Sequence, residues 1–401
     1  MLHGQHASPT CASELCDPEL YQRGNPEGLW QRMHAVAPVH EGLYDGRPFH
    51  AVISHPLVSQ VLKNTRAFSS ERGMRLDQNA AATSAAAGKM LIITDPPRHG
   101  AIRRIVSSVF TPRMVSRLEE NMRATAAAAV DRALDEGECD LTAVAARLPL
   151  AVICDMLGVP PEDWDFMLDR TMVAFGSDQA DPFAMAEAHA DILSYYEDLV
   201  RRRRREPGED VVSALVNGVI DGTGLTDEEI FLNCDGLISG GNETTRHATT
   251  GGLLALIQNP GQWAMLRDDP GLLPGAVQEI LRFTSPAMHV LRTAVVATEI
   301  GGFALSPGDP VALWLAAGNR DPGVFRDPDH FDITRRPNPH LAFAAGPHYC
   351  LGAALATSEL TVMFDELLRR VRSAELTGPA RRTRSILIRG YDAVPVRFAA
   401  A

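Results

Sequence analysis

Thr226, followed three residues later by Glu229, has the form of a capping box, and the helical pattern behind it runs unbroken to Asn259-Pro260. Thirty-odd residues at about 1.5 Å each make a rod of roughly 50 Å, long enough to cross an entire molecule of this size. Most of 55–285 reads as helix too. Pro96 and Pro97 precede AIRRIVSSVF, with its apolar face at Ile102, Ile105, Val106 and Val109, and Thr111-Pro112 begins a long alanine-rich helix. Arg201 to Arg205 close another helix before Pro207-Gly208, where cations suit the helix dipole, so the run reads as a solvated face.

Strand signals are fewer. Asp45-Gly46 between the alternating runs of 38–54 predicts a β-hairpin, and 290–320 alternates short strands with turns. Residues 323–349 are proline-rich with little periodicity, and so long a loop tends to be functional. A helix from about 351 to 371 and a β-rich tail follow. The expectation is a mainly α fold with small β-sheets, forming one domain over 1–401.

A formal charge of −12 argues against nucleic-acid binding, which needs a basic surface. No apolar run approaches the ~18 residues of a membrane helix, and the first sixteen residues resemble neither a signal nor a membrane anchor. The cytoplasm is the default expectation, with the six cysteines as free thiols and Cys11/Cys16 as the only close pair.

One of those cysteines decides the chemistry. In Phe343-Ala-Ala-Gly346-Pro-His348-Tyr-Cys350-Leu-Gly352, Cys350 ends the long loop just before a helix, where unpaired backbone N–H groups stabilise a thiolate and lower its pKa. Gly346 and Gly352 would let the backbone turn tightly and approach a flat macrocycle, while Phe343 shields the sulfur. This FxxGxxxCxG pattern resembles the haem-binding signature of the cytochromes P450.

The resemblance extends along nearly the whole chain. It implies the P450 fold, in which a helical domain has its long central helix over the haem beside a β-rich lobe. Cys350 is then the axial ligand of haem b, the iron protoporphyrin. Glu279-Ile-Leu-Arg282 resembles the family's ExxR ion pair, with the same spacing also at Glu120/Arg123 and Glu366/Arg369. The usual third partner is an arginine in a context like DPDRF; here Asp327-Pro-Asp-His330-Phe331 offers His330 instead.

Gly240-Gly241-Asn242-Glu243-Thr244 places two glycines inside the long helix at about 1 kcal/mol each, for which close helix packing or a local opening over the haem is the reason. The resemblance makes Thr244 the residue that holds oxygen and Glu243 a proton relay. His99 and Arg103, four apart on one helix face, match the family's propionate contacts together with Arg292 and His348. Ala344 stands where bacterial members commonly carry glycine, and Thr357 where an arginine often follows Leu-Ala.

The implied activity is insertion of one atom of O2 into a hydrophobic or aromatic small-molecule substrate by a monomeric enzyme. No GxGxxG fingerprint marks a fused reductase, so NAD(P)H acts through ferredoxin reductase and a ferredoxin, docked near Arg98, Arg104 and Arg113. By alignment with the family the pocket is lined by Met74, Met90, Gly236, Leu237, Gly240, Met288, Val290 and Ile388, positions that apolar core packing explains equally well. Only two of the 38 basic residues are lysines, Lys63 and Lys89, which suggests a GC-rich bacterial genome and secondary metabolism. Oxidative cyclisation or coupling, peroxide-driven chemistry and a non-catalytic haem-binding module are the alternatives.

Overall fold

A computed structural model describes residues 9–174 and 182–401. The long helix is Asp227–Gln258, and both halves of its capping box form: the Glu229 N–H donates to Thr226 Oγ1 at 3.3 Å and the Thr226 N–H to Glu229 Oε2 at 2.8 Å. It stops at Asn259 because Pro260, which has no N–H to extend the ladder, opens the helix Pro260–Asp268. Leu141–Leu157, Leu273–Thr284 and Ala353–Arg370 pack around the rod. Leu141–Leu157 is apolar on nearly every face and is accordingly buried along almost its whole length.

Other expected helices form as Arg98–Ser107, Pro112–Glu136 and Pro182–Arg205, the last ending in the arginine run. That run does more than face solvent. Arg203 Nε lies 2.6 Å from the buried carboxylate of Asp210, and Arg204 pairs with Asp227, tying this helix to the start of the rod.

The hairpin strands Val39–Tyr44 and Arg47–Val52 are antiparallel, joined through Asp45 (φ 49°) and Gly46 (φ 72°), the left-handed pair that a two-residue hairpin turn requires. They form one edge of a five-stranded sheet that continues through Pro310–Leu313, Val290–Ala294 and Phe68–Ser69. A three-stranded sheet joins Val371–Leu376 and Pro395–Ala400 to Glu138–Asp140, fastening the tail onto the helical part. The apolar core accordingly has one large cluster among the helices and two against the five-stranded sheet, one around Trp30 and Trp314 and one around Val52 and Leu313.

His289 sits fully buried beside Trp314, ring centroids 4.7 Å apart. Its Nδ1–H donates to the Ile386 carbonyl at 3.1 Å and its Nε2 accepts the Leu76 N–H at 3.2 Å, which leaves no site for a second proton. Burial accordingly pushes its pKa down to about 4. The unfolded chain binds this proton below about pH 6.5 and the folded one only near 4, so stability falls as the pH drops through that window. His340, also pushed by burial to about 4, acts in the same sense. The denaturation midpoint should therefore be lower at pH 5 than at pH 7, with a smaller loss in His289→Gln. An equal loss in that variant would remove His289 from the account.

Candidate functional site

Cys350 follows the 3₁₀ turn Gly346–His348 and precedes Ala353–Arg370. Its N–H donates to the Phe343 carbonyl at 2.9 Å, and its carbonyl accepts the Ala353 N–H at 3.3 Å. The Gly352 N–H favours the anionic form of the sulfur, which is the backbone stabilisation expected there. The net shift nevertheless runs the other way. Burial raises the thiol pKa and outweighs both that N–H and the Arg103 charge, so in the protein alone the sulfur keeps its proton until a metal displaces it. Cys350 is accessible although protein atoms crowd its thiol.

The two loop glycines have different reasons. Gly346 has φ 71°, and a Cβ there would stand 2.5 Å from the carbonyl oxygen of Leu62 in the helix His55–Lys63. Gly352 has an ordinary φ of −86°, so the tight turn expected there is not its role; a Cβ would meet no protein atom within 4 Å, and the residue leaves room. Ala344 adopts φ 55°, a conformation that favours glycine. Phe343 packs beside Tyr349, ring centroids 6.1 Å apart, next to the sulfur-bearing residue.

Four cationic or potentially cationic side chains converge nearby from two elements and the loop turn. His99 and Arg103 lie on Arg98–Ser107, Arg292 on Val290–Ala294, and His348 in the turn itself. The His99 and His348 rings are 4.1 Å apart, and His348 Nε2 lies 3.2 Å from the hydroxyl of Ser70, a contact unseen in the sequence. Burial, with Arg292, His99 and Arg103, pushes His348 down to about 3. Burial likewise brings buried Arg292 to about 10. Arg292 donates only to the Leu291 carbonyl, at 2.7 Å, and among the described residues no ion pair is found for any of the four. Buried cations without an anion are costly, and a ligand carrying carboxylates relieves that cost, so the cluster fits the two propionates of a haem.

Behind the loop, Glu279 and Arg282 are fully buried and bonded twice, each contact 2.8 Å. The third partner is Arg335, whose Nε lies 3.1 Å from Glu279 Oε2. His330 does not replace an arginine; it supplies its carbonyl to Arg282 at 3.2 Å and to Arg335 at 3.0 Å. The Asn338 amide at 3.1 Å and the Asp332 N–H at 3.0 Å complete the carboxylate's partners. One anion thus binds two cations and gathers the loop against the helix Leu273–Thr284.

On the rod, the glycine pair divides its labour. A methyl at Gly241 would come within 3.3 Å of Ile153, whereas one at Gly240 would meet nothing within 4 Å. The helix continues regularly through this point, so the opening is made by a missing side chain and no turn is broken. Thr244 is half-buried and its hydroxyl donates to the Gly240 carbonyl at 3.0 Å. Glu243 is buried and bonds Arg246 and His247 on its own helix, the latter at 3.3 Å. Burial alone would raise the Glu243 pKa, but the His247 hydrogen bond and the Arg246 charge bring it below the ordinary value.

The pocket candidates separate. Met90 packs its methyl against Gly236, and Asn233 pins the neighbouring loop by accepting the Leu91 N–H at 2.8 Å. Met74, Leu237, Val290 and Ile388 are half-buried, but Met288 lies fully buried in the Trp30–Trp314 cluster, where it packs the core. Arg98 is paired with Glu229, which weakens its part in partner docking; the side chains of Arg113 and Cys11 lie outside the described residues.

The sequence profile of the family described as Cytochrome P450 matches residues 183–386, half of the chain. The chain is a cytochrome P450. Cytochrome P450 126 of Mycobacterium tuberculosis is 39% identical to it over 93% of this chain and 94% of its own length. Linalool 8-monooxygenase of Pseudomonas putida is 35% identical over 94% and 96%, and this P450 is likewise a monooxygenase. The solved structure of OxyD, a P450 involved in the biosynthesis of vancomycin-type antibiotics, superposes with a TM-score of 0.89 at 37% identity, covering 96% of this chain and 99% of that one. The family's cofactor is haem. Among the described residues no helix is long and apolar enough to cross a membrane.

Proposed function

We propose that this P450 inserts one atom of dioxygen into a hydrophobic or aromatic small molecule in bacterial secondary metabolism, with electrons passing from NAD(P)H through ferredoxin reductase and a ferredoxin. The observation that carries the reading is the division of labour on the rod: Thr244 stands accessible beside the gap at Gly240, while Glu243 behind it is held ionised in a buried network. Haem held by Cys350 supplies dioxygen binding and reductive O–O cleavage, which a thiolate ligand favours.

The protein's own groups do the rest. His99, Arg103, Arg292 and His348 donate to the propionates and set the haem's orientation. Phe343 keeps water from the sulfur, and the Thr244 hydroxyl, anchored on the Gly240 carbonyl, orients a small polar ligand beside it. Glu243 supplies protons at that point. Met90 and Leu237 give the pocket wall apolar character, which favours terpenoid, steroid or aromatic compounds over sugars or nucleotides.

The test is a screen of such compounds for those that shift ferric haem from low to high spin, followed by turnover of the hits. Product formation should require NAD(P)H, reductase and ferredoxin together. Full-rate conversion with hydrogen peroxide alone would overturn the proposed electron route, and binding without any turnover would favour a haem-binding module.

A further inference from the structure

We propose that His247 carries protons to Glu243 from a cleft between the long helix and the C-terminal tail, making that cleft the enzyme's proton inlet. The inference rests on the role given above to Glu243. The cleft is narrow, with a cavity volume of about 40 Å³, and His247 lines it along with Tyr21, Phe283, Thr383, Arg389 and Tyr391.

His247 is 1% exposed, and its two ring nitrogens serve different sides. Nδ1 accepts the Tyr391 N–H from the tail at 3.3 Å, while Nε2 lies 3.3 Å from Glu243 Oε2. Nε2 also lies 3.2 Å from Arg246 Nη2, so it faces a cation as well as the carboxylate; with Nδ1 accepting from Tyr391, the ring proton is on Nε2 and is available to Glu243 Oε2. Gly390 lets the tail come this close, because any Cβ there would run into the His247 ring. The other carboxylate oxygen, Glu243 Oε1, is buried without a hydrogen-bond partner among the described residues. One side of the ring thus faces the cleft, and the acceptor on its other side keeps an oxygen free.

A proton from water in the cleft binds Nδ1 in place of the long Tyr391 contact as the Nε2 proton passes to Glu243 Oε2. Glu243 then turns its protonated carboxyl group so that this same proton leaves on the side that Oε1 occupied, and a return shift of the ring tautomer resets the relay. No electron moves, and one proton enters for each that leaves. Burial keeps the imidazole neutral between transfers, with Glu243 and Arg246 acting on it from its own helix and Asp392 from the tail.

The test uses full-length haem protein, dioxygen as the only oxidant, and NADPH with a plant-type ferredoxin and its reductase, without organic substrate. His247→Gln keeps a donor for Glu243 but cannot pass a proton through, so it separates relay from mere support. Oxygen uptake in this variant should fall by about 10²-fold with a larger solvent deuterium isotope effect, while the haem spectrum stays unchanged. Histidine-selective 15N NMR of the wild-type ferrous carbonyl protein should show the His247 proton on Nε2. Wild-type rates and isotope effect in His247→Gln, or a proton on Nδ1, would sink the relay alone. Wild-type protein that takes up no oxygen would sink the monooxygenase reading beneath it.

Discussion

Cys350→Ser should retain the fold yet lose the thiolate signature of its ferrous carbonyl spectrum, with product formation falling below about 1% of wild type. The fold should survive because the Cys350 backbone is held by the Phe343 carbonyl at 2.9 Å and by Ala353 at 3.3 Å, neither of which involves the sulfur. Serine is close in size and would face the same Gly352 N–H. What it cannot do at neutral pH is lose its proton readily and donate to iron as a soft anion. Absorbance after reduction under carbon monoxide, with circular dichroism as the folding control, reads both halves. An unaltered carbonyl spectrum would remove Cys350 from the site and the haem-thiolate assignment with it.

Glu279→Gln should lower stability by about 3–5 kcal/mol, a large part of the margin of an ordinary domain. The substitution removes one charge but strands two: Arg282 and Arg335 both lose the one carboxylate they pair with among the described residues, and Arg282 is fully buried. Guanidinium chloride titration should show the loss, and haem release should accompany it because the same side chain gathers the cysteine loop. Arg335→Met should cost less, since the bidentate Glu279–Arg282 pair survives. A change of less than about 1 kcal/mol in Glu279→Gln would mean that the network holds the loop by shape and not by charge.

Local sequence carried much of this architecture. Capping at Thr226, the Asp45-Gly46 turn and the breakers around 207 and 260 act within a few residues, so their effects can be read in one dimension. Partners brought together by folding could not be. Arg335 reaches Glu279 across 56 positions, and the loop's Arg326, Arg335 and Arg336 are indistinguishable until the chain is folded. Ser70 meets His348 across 278 positions, and nothing about a serine just after a short strand signals it. The Cys350 thiol shows a balance that sequence cannot strike: the helix terminus was legible, but the stronger effect of burial was not. Glu243 differs again: its partners Arg246 and His247 stand three and four residues on, a helix spacing that could have marked them, but the sequence reading did not name them.

The turn at Gly346 rests against the Leu62 carbonyl with no space for a methyl group. Grafting the first sixty-odd residues from another family member therefore transplants the seat on which the metal ligand rides. A chimaera joined before residue 55 keeps that seat native, whereas a crossover inside His55–Lys63 exposes the sulfur's height to every small error in the splice.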